Sequence, residues 1–293
     1  MNIQFTYNII CNQHCLFSSE KIDSPLAFIV VPGNPSIIEF YKEFSCALIE
    51  LFNYPTIIVS LCKNGEHSLG VHQAIHLKIQ FFNEIFQKYP NTKFIILGHS
   101  IGNYITLQAL RQIDQSRIVG YYGLFPALIN LKQSFCTLYK IITYSPFIIA
   151  CLAFSTHLLQ LLPLSLITFF FSLVTDVPKQ YIPILKHHLD PQMTGQMLSL
   201  CKDEGIQIKE YPDDFIQFLN SFHSKLHLIY GKNDVYGNEN VARDMMQRCP
   251  EAQITITDIL HAFVLGYVQN VIEVISPMLK ETIQLFEHQM IEE

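Results

Sequence analysis

The five consecutive residues Gly98-His99-Ser100-Ile101-Gly102 carry the clearest chemical signal in this sequence. They fit the pattern Gly-x-Ser-x-Gly, in which a serine at a sharp strand-to-helix turn acts as a nucleophile. The small flanking residues let strand and helix approach closely. The helix start places backbone N–H groups and positive dipole beside a developing oxyanion. We therefore predict that Ser100 is a nucleophile and that Gly98, His99 and Gly102 complete its turn.

A serine hydroxyl needs a base, and the base needs an acid that orients it. Where this turn occurs, the acid and then the histidine follow the serine along the chain. Asp234 follows the apolar run 225–231, and His261 follows the run 253–257. We predict Asp234 as the acid and His261 as the base.

Three other aspartates leave alternatives open. Asp213 and Asp214 are rival acids, because they lie upstream of the same predicted strand as Asp234. Asp258 lies three residues before His261 and could instead cap the last helix. A helix-capping or core-edge role for His261 and a simple turn role for Asp234 also remain possible from the sequence alone.

The predicted oxyanion hole takes one N–H from Ile101, the residue after the nucleophile. A second N–H should come from the loop after the strand 26–31, which reads Pro-Gly-Asn-Pro-Ser. Because proline has no N–H, Pro35 is excluded, and the donor is Asn34 or Gly33. We favour Asn34, although the same residues would also form an ordinary tight turn.

The elements that must position these residues alternate along the chain. Short apolar runs predict strands at 26–31, 56–61, 93–98, 117–125, 225–231 and 253–257, and segments of helical periodicity lie between most of them. This alternation predicts a mostly parallel sheet with helices on both faces. We expect one α/β domain over 1–293, with an insertion at about 126–222. The closing helix should span 262–286 and be kinked or broken near Pro277.

Composition excludes several classes of function. The net charge of −6 argues against nucleic-acid binding. The eight cysteines include no Cys-x-x-Cys pair, and the N-terminus lacks a signal-peptide pattern, so we expect free thiols facing the cytosol. His72 and His76 lie four apart on a predicted helix but lack a third metal ligand, and His187 and His188 are expected at the surface. We predict no metal and no cofactor.

Residues 141–175 contain no Asp, Glu, Lys or Arg. Pro146 and Pro163 interrupt this stretch, and its pieces 147–154 and 158–174 are shorter than the ~20 residues of a membrane-spanning helix. We favour a hairpin that dips into a lipid monolayer. A soluble cap that lines an acyl pocket and a bilayer span are the alternatives.

Four segments, taken in order, resemble the lipid droplet-associated hydrolases of the α/β-hydrolase superfamily. They are VVPGNPSIIEFYKEF, GHSIGNYI, YGKNDVY and HAFV. The resemblance implies an α/β-hydrolase fold with Ser100, Asp234 and His261 as nucleophile, acid and base. It also implies association with lipid droplets and the endoplasmic reticulum. Ser36 departs from the family, in which relatives commonly have glycine at this position.

Together these features predict a serine hydrolase that cleaves sterol or acylglycerol esters at the droplet surface. Its partners would be the lipid ester and the droplet monolayer or endoplasmic reticulum surface. One alternative is a droplet-surface interaction protein with a slow or vestigial triad. Another is an acyltransferase that uses the same triad with an acceptor other than water.

Overall fold

A mixed sheet forms the centre of the fold. The computed structural model describes residues 3–19, 22–129, 131, 142, 144–174, 177–188 and 190–292. Within them, eight strands lie in the order β1-β2-β4-β3-β5-β6-β7-β8. They are β1 (Thr6–Ile10), β2 (Gln13–Phe17), β3 (Leu26–Val31), β4 (Thr56–Lys63), β5 (Lys93–His99), β6 (Ile118–Leu124), β7 (Leu226–Gly231) and β8 (Gln253–Thr257). Strands β3 to β8 are parallel, whereas β2 runs antiparallel to both β1 and β4.

Helices cover both faces of this sheet, which confirms the predicted fold class. The described helices are α1 (Lys42–Phe52), α2 (Val71–Lys88), α3 (Ile101–Leu110), α4 (Pro146–Gln160), α5 (Leu164–Val174), α6 (Ile182–His188), α7 (Pro191–Gln207), α8 (Asp213–Asn220), α9 (Glu239–Arg248) and α10 (Val268–Glu292). Helices α1 and α10 pack on one face, and α2, α3, α8 and α9 pack on the other. Every residue of β3 is buried, and alternate residues join the two cores, because successive side chains point to opposite faces. The continuous apolar runs in the sequence follow from this burial.

The β1–β2 hairpin at the edge of the sheet is not among the elements predicted from the sequence. Cys11 and Asn12 form its turn, with φ angles of 49° and 61°. Two positive φ angles fit a type I′ turn, which usually contains Asn-Gly or Asp-Gly. This turn has a cysteine in its first position, and β1 is mostly exposed. The sequence therefore shows neither the usual turn residues nor a buried apolar run that would predict a strand.

The end of the chain also differs from the prediction. Helix α10 is one helix that contains Pro277 and begins at Val268, six residues later than expected. The preceding turn contains His261, and Phe263 and Val264 are buried in the core beside α1. Their apolar character reflects burial of a loop, which periodicity alone does not distinguish from the face of a helix.

Residues 125–225, between β6 and β7, form the β6–β7 segment and contain helices α4 to α8. Helices α4 and α5 are separated by residues 161–163, so the interruption falls at Pro163 as expected. Helix α4 packs against α7, and α5 packs against α6. None of the helices in the described ranges has the length and apolarity needed to cross a membrane. The division of the chain into a domain and a 126–222 insertion stays a prediction.

A lysine is buried where α2 meets the sheet. The Nζ atom of Lys78 donates a hydrogen bond of 2.6 Å to the backbone oxygen of Ser60. That oxygen also accepts a 3.0 Å hydrogen bond from the side-chain amide of Gln13. Burial lowers the pKa of Lys78 to about 7. The folded protein therefore releases a proton that the unfolded chain holds up to about pH 10.4.

We predict that Lys78→Met stabilises the protein at pH 7 by about 4 kcal/mol, because the cost of burying a charge is removed. This cost is fully present below pH 7 and fades as pH rises from 7 to about 10.4. Well above that pH the lysine is neutral in both the folded and the unfolded state. Urea unfolding of both proteins at pH 7 and pH 9.5 measures the difference. Lys88→Met, at an exposed lysine of the same helix, is the control. An equal gain at both pH values would contradict the assignment.

Candidate active site

Ser100 occupies the tight turn between β5 and α3. Its φ and ψ angles are 53° and −129°, a conformation that is strained for a residue with a side chain. A Cβ atom on Gly102 would lie 2.2 Å from the backbone oxygen of Pro32, and one on Gly98 would lie 2.5 Å from Oδ1 of Asn103. Larger residues at 98 or 102 would force strand and helix apart, so the spacing of the sequence pattern has a steric cause.

Three side chains form a hydrogen-bonded row at this turn. Nε2 of His261 lies 2.9 Å from Oγ of Ser100, and Nδ1 of His261 lies 2.6 Å from Oδ2 of Asp234. The carboxylate only accepts, so Nδ1 carries the proton and Nε2 faces the serine hydroxyl as an acceptor. The structure therefore brings the three predicted residues together in an order suited to nucleophilic attack by Ser100.

A backbone group fixes the orientation of Asp234. Its other oxygen, Oδ1, accepts a 2.9 Å hydrogen bond from the N–H of Tyr236. The side chain of Asp234 is 1% exposed, so water cannot replace these partners. The carboxylate is held by one donor while its second oxygen faces the imidazole.

The rival acids lie elsewhere. Asp213 and Asp214 are in the first turn of α8, and Asp214 forms an exposed ion pair with Arg111. Asp258 is exposed and lies well before the start of α10, so the alternative that it caps this helix is wrong. Neither rival acid is a hydrogen-bond partner of His261 among the described residues.

The loop after β3 lies directly over Ser100. A Cβ atom on Gly33 would come within 2.7 Å of Cβ of Ser100. The N–H of Gly33 donates to Oη of Tyr41 at 3.0 Å, so this group is engaged. Pro35 has no N–H, so Asn34 carries the next backbone N–H after Gly33. The N–H of Ile101 is the first in α3 and has no acceptor within that helix.

Side-chain contacts anchor both ends of this loop. The amide Nδ2 of Asn34 donates to the backbone oxygen of Met197 at 2.9 Å and to Oε1 of Glu204 at 3.2 Å, both on α7. Oγ of Ser36 accepts a 2.6 Å hydrogen bond from the N–H of Leu61 on β4. The serine that departs from the family pattern therefore has a structural role, because it ties the loop to the sheet.

A small apolar cavity of about 250 Å³ opens beside Ser100. Phe40 and Leu265 contribute to its wall, together with Val177 and Leu185 from the β6–β7 segment. A cavity of about 490 Å³ lies between the β1–β2 hairpin and the start of α7, and the three residues of the row do not line it. The smaller cavity is the one that could hold part of a substrate at the serine.

Asn103, which is not among the residues predicted from the sequence, stabilises the turn at Ser100 from within. Asn103 is completely buried, and its Nδ2 donates to the backbone oxygens of Ser100 and Leu124, each at 3.1 Å. Its Oδ1 accepts a 2.9 Å hydrogen bond from the hydroxyl of Tyr121. Its role could have been predicted because it is a polar residue in the otherwise apolar first turn of α3.

Three histidines considered in the sequence analysis, at positions 72, 76 and 188, lie outside this row. His72 and His76 are exposed on α2, and His76 lies 3.0 Å from the side-chain amide of Gln80. Nε2 of His188 lies 2.9 Å from an oxygen of Glu39, close enough for an ion pair but not aligned for a hydrogen bond. In the part of the chain that the structure describes, no group of three or more His, Cys, Asp or Glu residues could hold a metal ion.

Solved structures of similar fold show to which fold class this chain belongs. The chain is similar to a haloalkane dehalogenase from Agrobacterium tumefaciens, with a TM-score of 0.70 and 11% identity over 95% of this chain and 97% of the other. It is also similar to a carboxylesterase from Nitrososphaera gargenis, with a TM-score of 0.66 and 11% identity over 96% and 99% of the two chains. These are α/β hydrolases, and at such low identity the likeness shows the fold alone.

Sequence comparison gives a narrower result. The family model described as lipid-droplet associated hydrolase matches residues 24–264. The chain is 26% identical to the lipid droplet-associated hydrolase of Mus musculus, over 89% of this chain and 87% of the relative. It is 25% identical to the protein of the same name in Dictyostelium discoideum, over 87% and 88% of the two chains.

We predict that Asp234→Asn slows reaction of Ser100 with a fluorophosphonate probe by about 10³–10⁴-fold. The Tyr236 N–H selects the oxygen of the new amide, so the amide NH₂ faces Nδ1 of His261. The imidazole proton then moves to Nε2, which can no longer accept a proton from Ser100. Probe-labelling rates measure the effect.

Asp214→Asn is the matched control, because it makes the same change at an exposed acid and should leave the labelling rate within about twofold of wild type. If Asp214→Asn lowers the labelling rate more than Asp234→Asn does, Asp234 has been assigned wrongly as the acid.

Proposed function

The chain belongs to the lipid droplet-associated hydrolase family, and from this membership and the geometry at Ser100 we propose that it is a serine hydrolase of lipid esters. The observation that carries the proposal is the row from Asp234 through His261 to Ser100, with distances of 2.6 and 2.9 Å. We assign Ser100 as the nucleophile, His261 as the general base and Asp234 as the acid that orients it.

In the proposed reaction, Oγ of Ser100 attacks the ester carbonyl while Nε2 of His261 takes the hydroxyl proton. The N–H groups of Ile101 and Asn34 stabilise the negative charge that develops on the carbonyl oxygen. The alcohol leaves with the proton from His261, and the acyl group remains on Ser100. Water then attacks the acyl-enzyme with His261 again as the base, which releases the acid and restores the hydroxyl.

The cavity beside Ser100 supports a bulky apolar substrate of which only one arm is enclosed. Its volume of about 250 Å³ is below the ~300–1,000 Å³ of pockets that enclose a whole drug-sized ligand. An acyl arm can enter this apolar space while the rest of a sterol or acylglycerol ester stays outside. Val235 and Leu260, next to Asp234 and His261 in the chain, are 64% and 57% exposed. They offer apolar contacts beside the site.

We predict that Ser100→Ala abolishes fluorophosphonate labelling and lowers ester hydrolysis by about 10⁴–10⁶-fold while the protein stays folded. The assay compares both proteins on extracted lipids and records which ester disappears and which product forms. Free acid as the product supports hydrolysis, whereas transfer to another alcohol supports an acyltransferase. Unchanged turnover in Ser100→Ala would contradict the assignment of Ser100 as the nucleophile. A wild type that neither labels nor turns over would support the droplet-surface interaction protein.

The outer surface of α4 and α5 supports the proposed location at lipid droplets and the cytosolic face of the endoplasmic reticulum. Large apolar side chains are exposed there and in the turn between the two helices, among them Phe147 at 77%, Leu161 at 73% and Phe169 at 57%. An exposed apolar surface of this kind marks an interaction site or an aggregation hazard. Its transfer into acyl chains gains about 25 cal/mol per Å². We propose that this helix pair lies in the droplet monolayer.

We predict that replacing Leu161, Leu166, Phe169 and Phe170 together by Ser releases the protein from droplets to the cytosol. Turnover of a soluble short-chain ester should stay within about threefold of wild type, because the substituted side chains are largely exposed and lie outside the cavity wall. Microscopy of the tagged protein and droplet flotation measure the location.

The control is Leu51, Leu285, Met290 and Ile291 to Ser, which removes four exposed apolar side chains from α1 and α10. This variant should still coat droplets. If the variant with serine at 161, 166, 169 and 170 also coats droplets as wild type does, the helix pair does not anchor the protein.

A further inference from the structure

Tyr41 and His99 form a buried hydrogen-bonded chain behind the nucleophile, and the proposed reaction steps do not use it. Oη of Tyr41 lies 2.6 Å from Nδ1 of His99 and accepts the N–H of Gly33 at 3.0 Å. Nε2 of His99 lies 2.9 Å from the backbone oxygen of His261. The chain therefore joins the loop after β3 to the residue that carries the general base.

The two ends of this chain fix the position of every proton in it. The carbonyl oxygen of His261 can only accept, so Nε2 of His99 must donate. A neutral imidazole then has an acceptor at Nδ1, which takes the single proton of the Tyr41 hydroxyl. The Tyr41 oxygen is in turn free to accept from Gly33. Each link has one possible direction, and linked hydrogen bonds of this kind polarise and strengthen one another.

The surroundings keep His99 neutral and immobile. Burial, together with the nearby His261, lowers the pKa of His99 well below the usual histidine value. The ring of Phe263 lies edge-on to His99 with centroids 5.0 Å apart and also contacts Tyr41 at 6.4 Å. Tyr41 is 3% exposed and His99 is 6% exposed. Neither ring can turn away without opening the core.

We propose that Tyr41 and His99 are positioning residues that hold the oxyanion loop and the base-bearing loop at a fixed separation across Ser100. One end of the chain is Gly33, the neighbour of the proposed donor Asn34. The other end is the backbone of His261, and His99 itself immediately precedes Ser100. A single imidazole thus ties together the three parts that must meet at the ester carbonyl. The inference rests on the proposed function.

Breaking the hydrogen-bonded chain of Tyr41 and His99 should lower the rate of reaction more than it weakens substrate binding. Tyr41→Phe deletes one hydroxyl and leaves the N–H of Gly33 and Nδ1 of His99 buried without partners. Small displacements of reacting groups cost up to about 10²-fold in rate. We expect kcat for a soluble short-chain ester to fall by about 10- to 100-fold, with KM within about twofold.

Two substitutions of His99 separate hydrogen bonding from packing. His99→Gln keeps one donor and one acceptor on a single planar group, and it should retain kcat within about tenfold of wild type. His99→Met fills similar space without these groups and should lose as much as Tyr41→Phe. Combining Tyr41→Phe with His99→Met should add less than about twofold, since the chain is already broken. Independent, additive losses would overturn the proposal.

A buried tyrosine elsewhere provides the control for general destabilisation. The hydroxyl of Tyr122 bonds to Oγ1 of Thr282, 2.8 Å away on α10. Tyr122→Phe therefore removes a comparable hydrogen bond outside the site and should leave kcat unchanged. The proposal is overturned if Tyr41→Phe has wild-type kcat, or if Tyr122→Phe lowers kcat to the same extent.

Nitrogen-15 NMR of the histidines tests the hydrogen bonds between Tyr41, His99 and His261 without an activity assay. The wild type should show His99 as a neutral Nε2–H imidazole from pH 5 to 8, and Tyr41→Phe should shift the ring resonances of His261. A protonated His99, or His261 resonances that do not move in Tyr41→Phe, would overturn the proposal. A wild type that neither labels nor turns over substrate would instead count against the proposed function. The NMR result would still show whether Tyr41 and His99 form the proposed hydrogen bonds.

Discussion

The close approach of α3 to the loop after β3 is the constraint on which the site depends. The backbone oxygen of Pro32 lies only 2.2 Å from the position that a Cβ atom of residue 102 would take, so glycine alone fits there. This contact holds Ser100 at a φ of 53° and presents its hydroxyl to His261 at 2.9 Å. It also brings Gly33 over the serine. Strain at one residue is balanced by the packing of a strand, a loop and a helix around it.

The parallel part of the sheet brings the other functional groups to the same place. The loops that contain Asn34, Asp234 and His261 follow the carboxyl ends of β3, β7 and β8, and Ser100 follows β5. Because the carboxyl ends of parallel strands share one edge, residues far apart in sequence converge in the crevice beyond it. Hydrogen bonds to backbone groups then set their orientation, as the Tyr236 N–H does for Asp234.

The β6–β7 segment contacts this site from its inner side and exposes apolar residues on its outer side. Val177 and Leu185 line the cavity at the serine. Glu204 of α7 is 5% exposed, accepts a hydrogen bond from the Asn34 side chain, and has its pKa raised to about 7 by burial. The same segment exposes Phe147 and other large apolar side chains on α4 and α5. It therefore physically connects a lipid-compatible surface with the loop that carries the proposed oxyanion donor.

The sequence by itself determined the turn at Ser100 and the parallel core strands, because both depend on short-range spacing. The turn needs two small residues around a serine, and the strands need side chains buried on both faces. Only the tertiary structure brought Asp234, rather than Asp214, to the histidine. It also paired the N–H of Gly33 with Tyr41 and joined Tyr41 to His99. These choices depend on contacts between residues distant in the chain, for which local composition carries no signal. The β1–β2 hairpin and the start of α10 were missed for the related reason that sheet pairing and burial of a loop determine them, rather than periodicity.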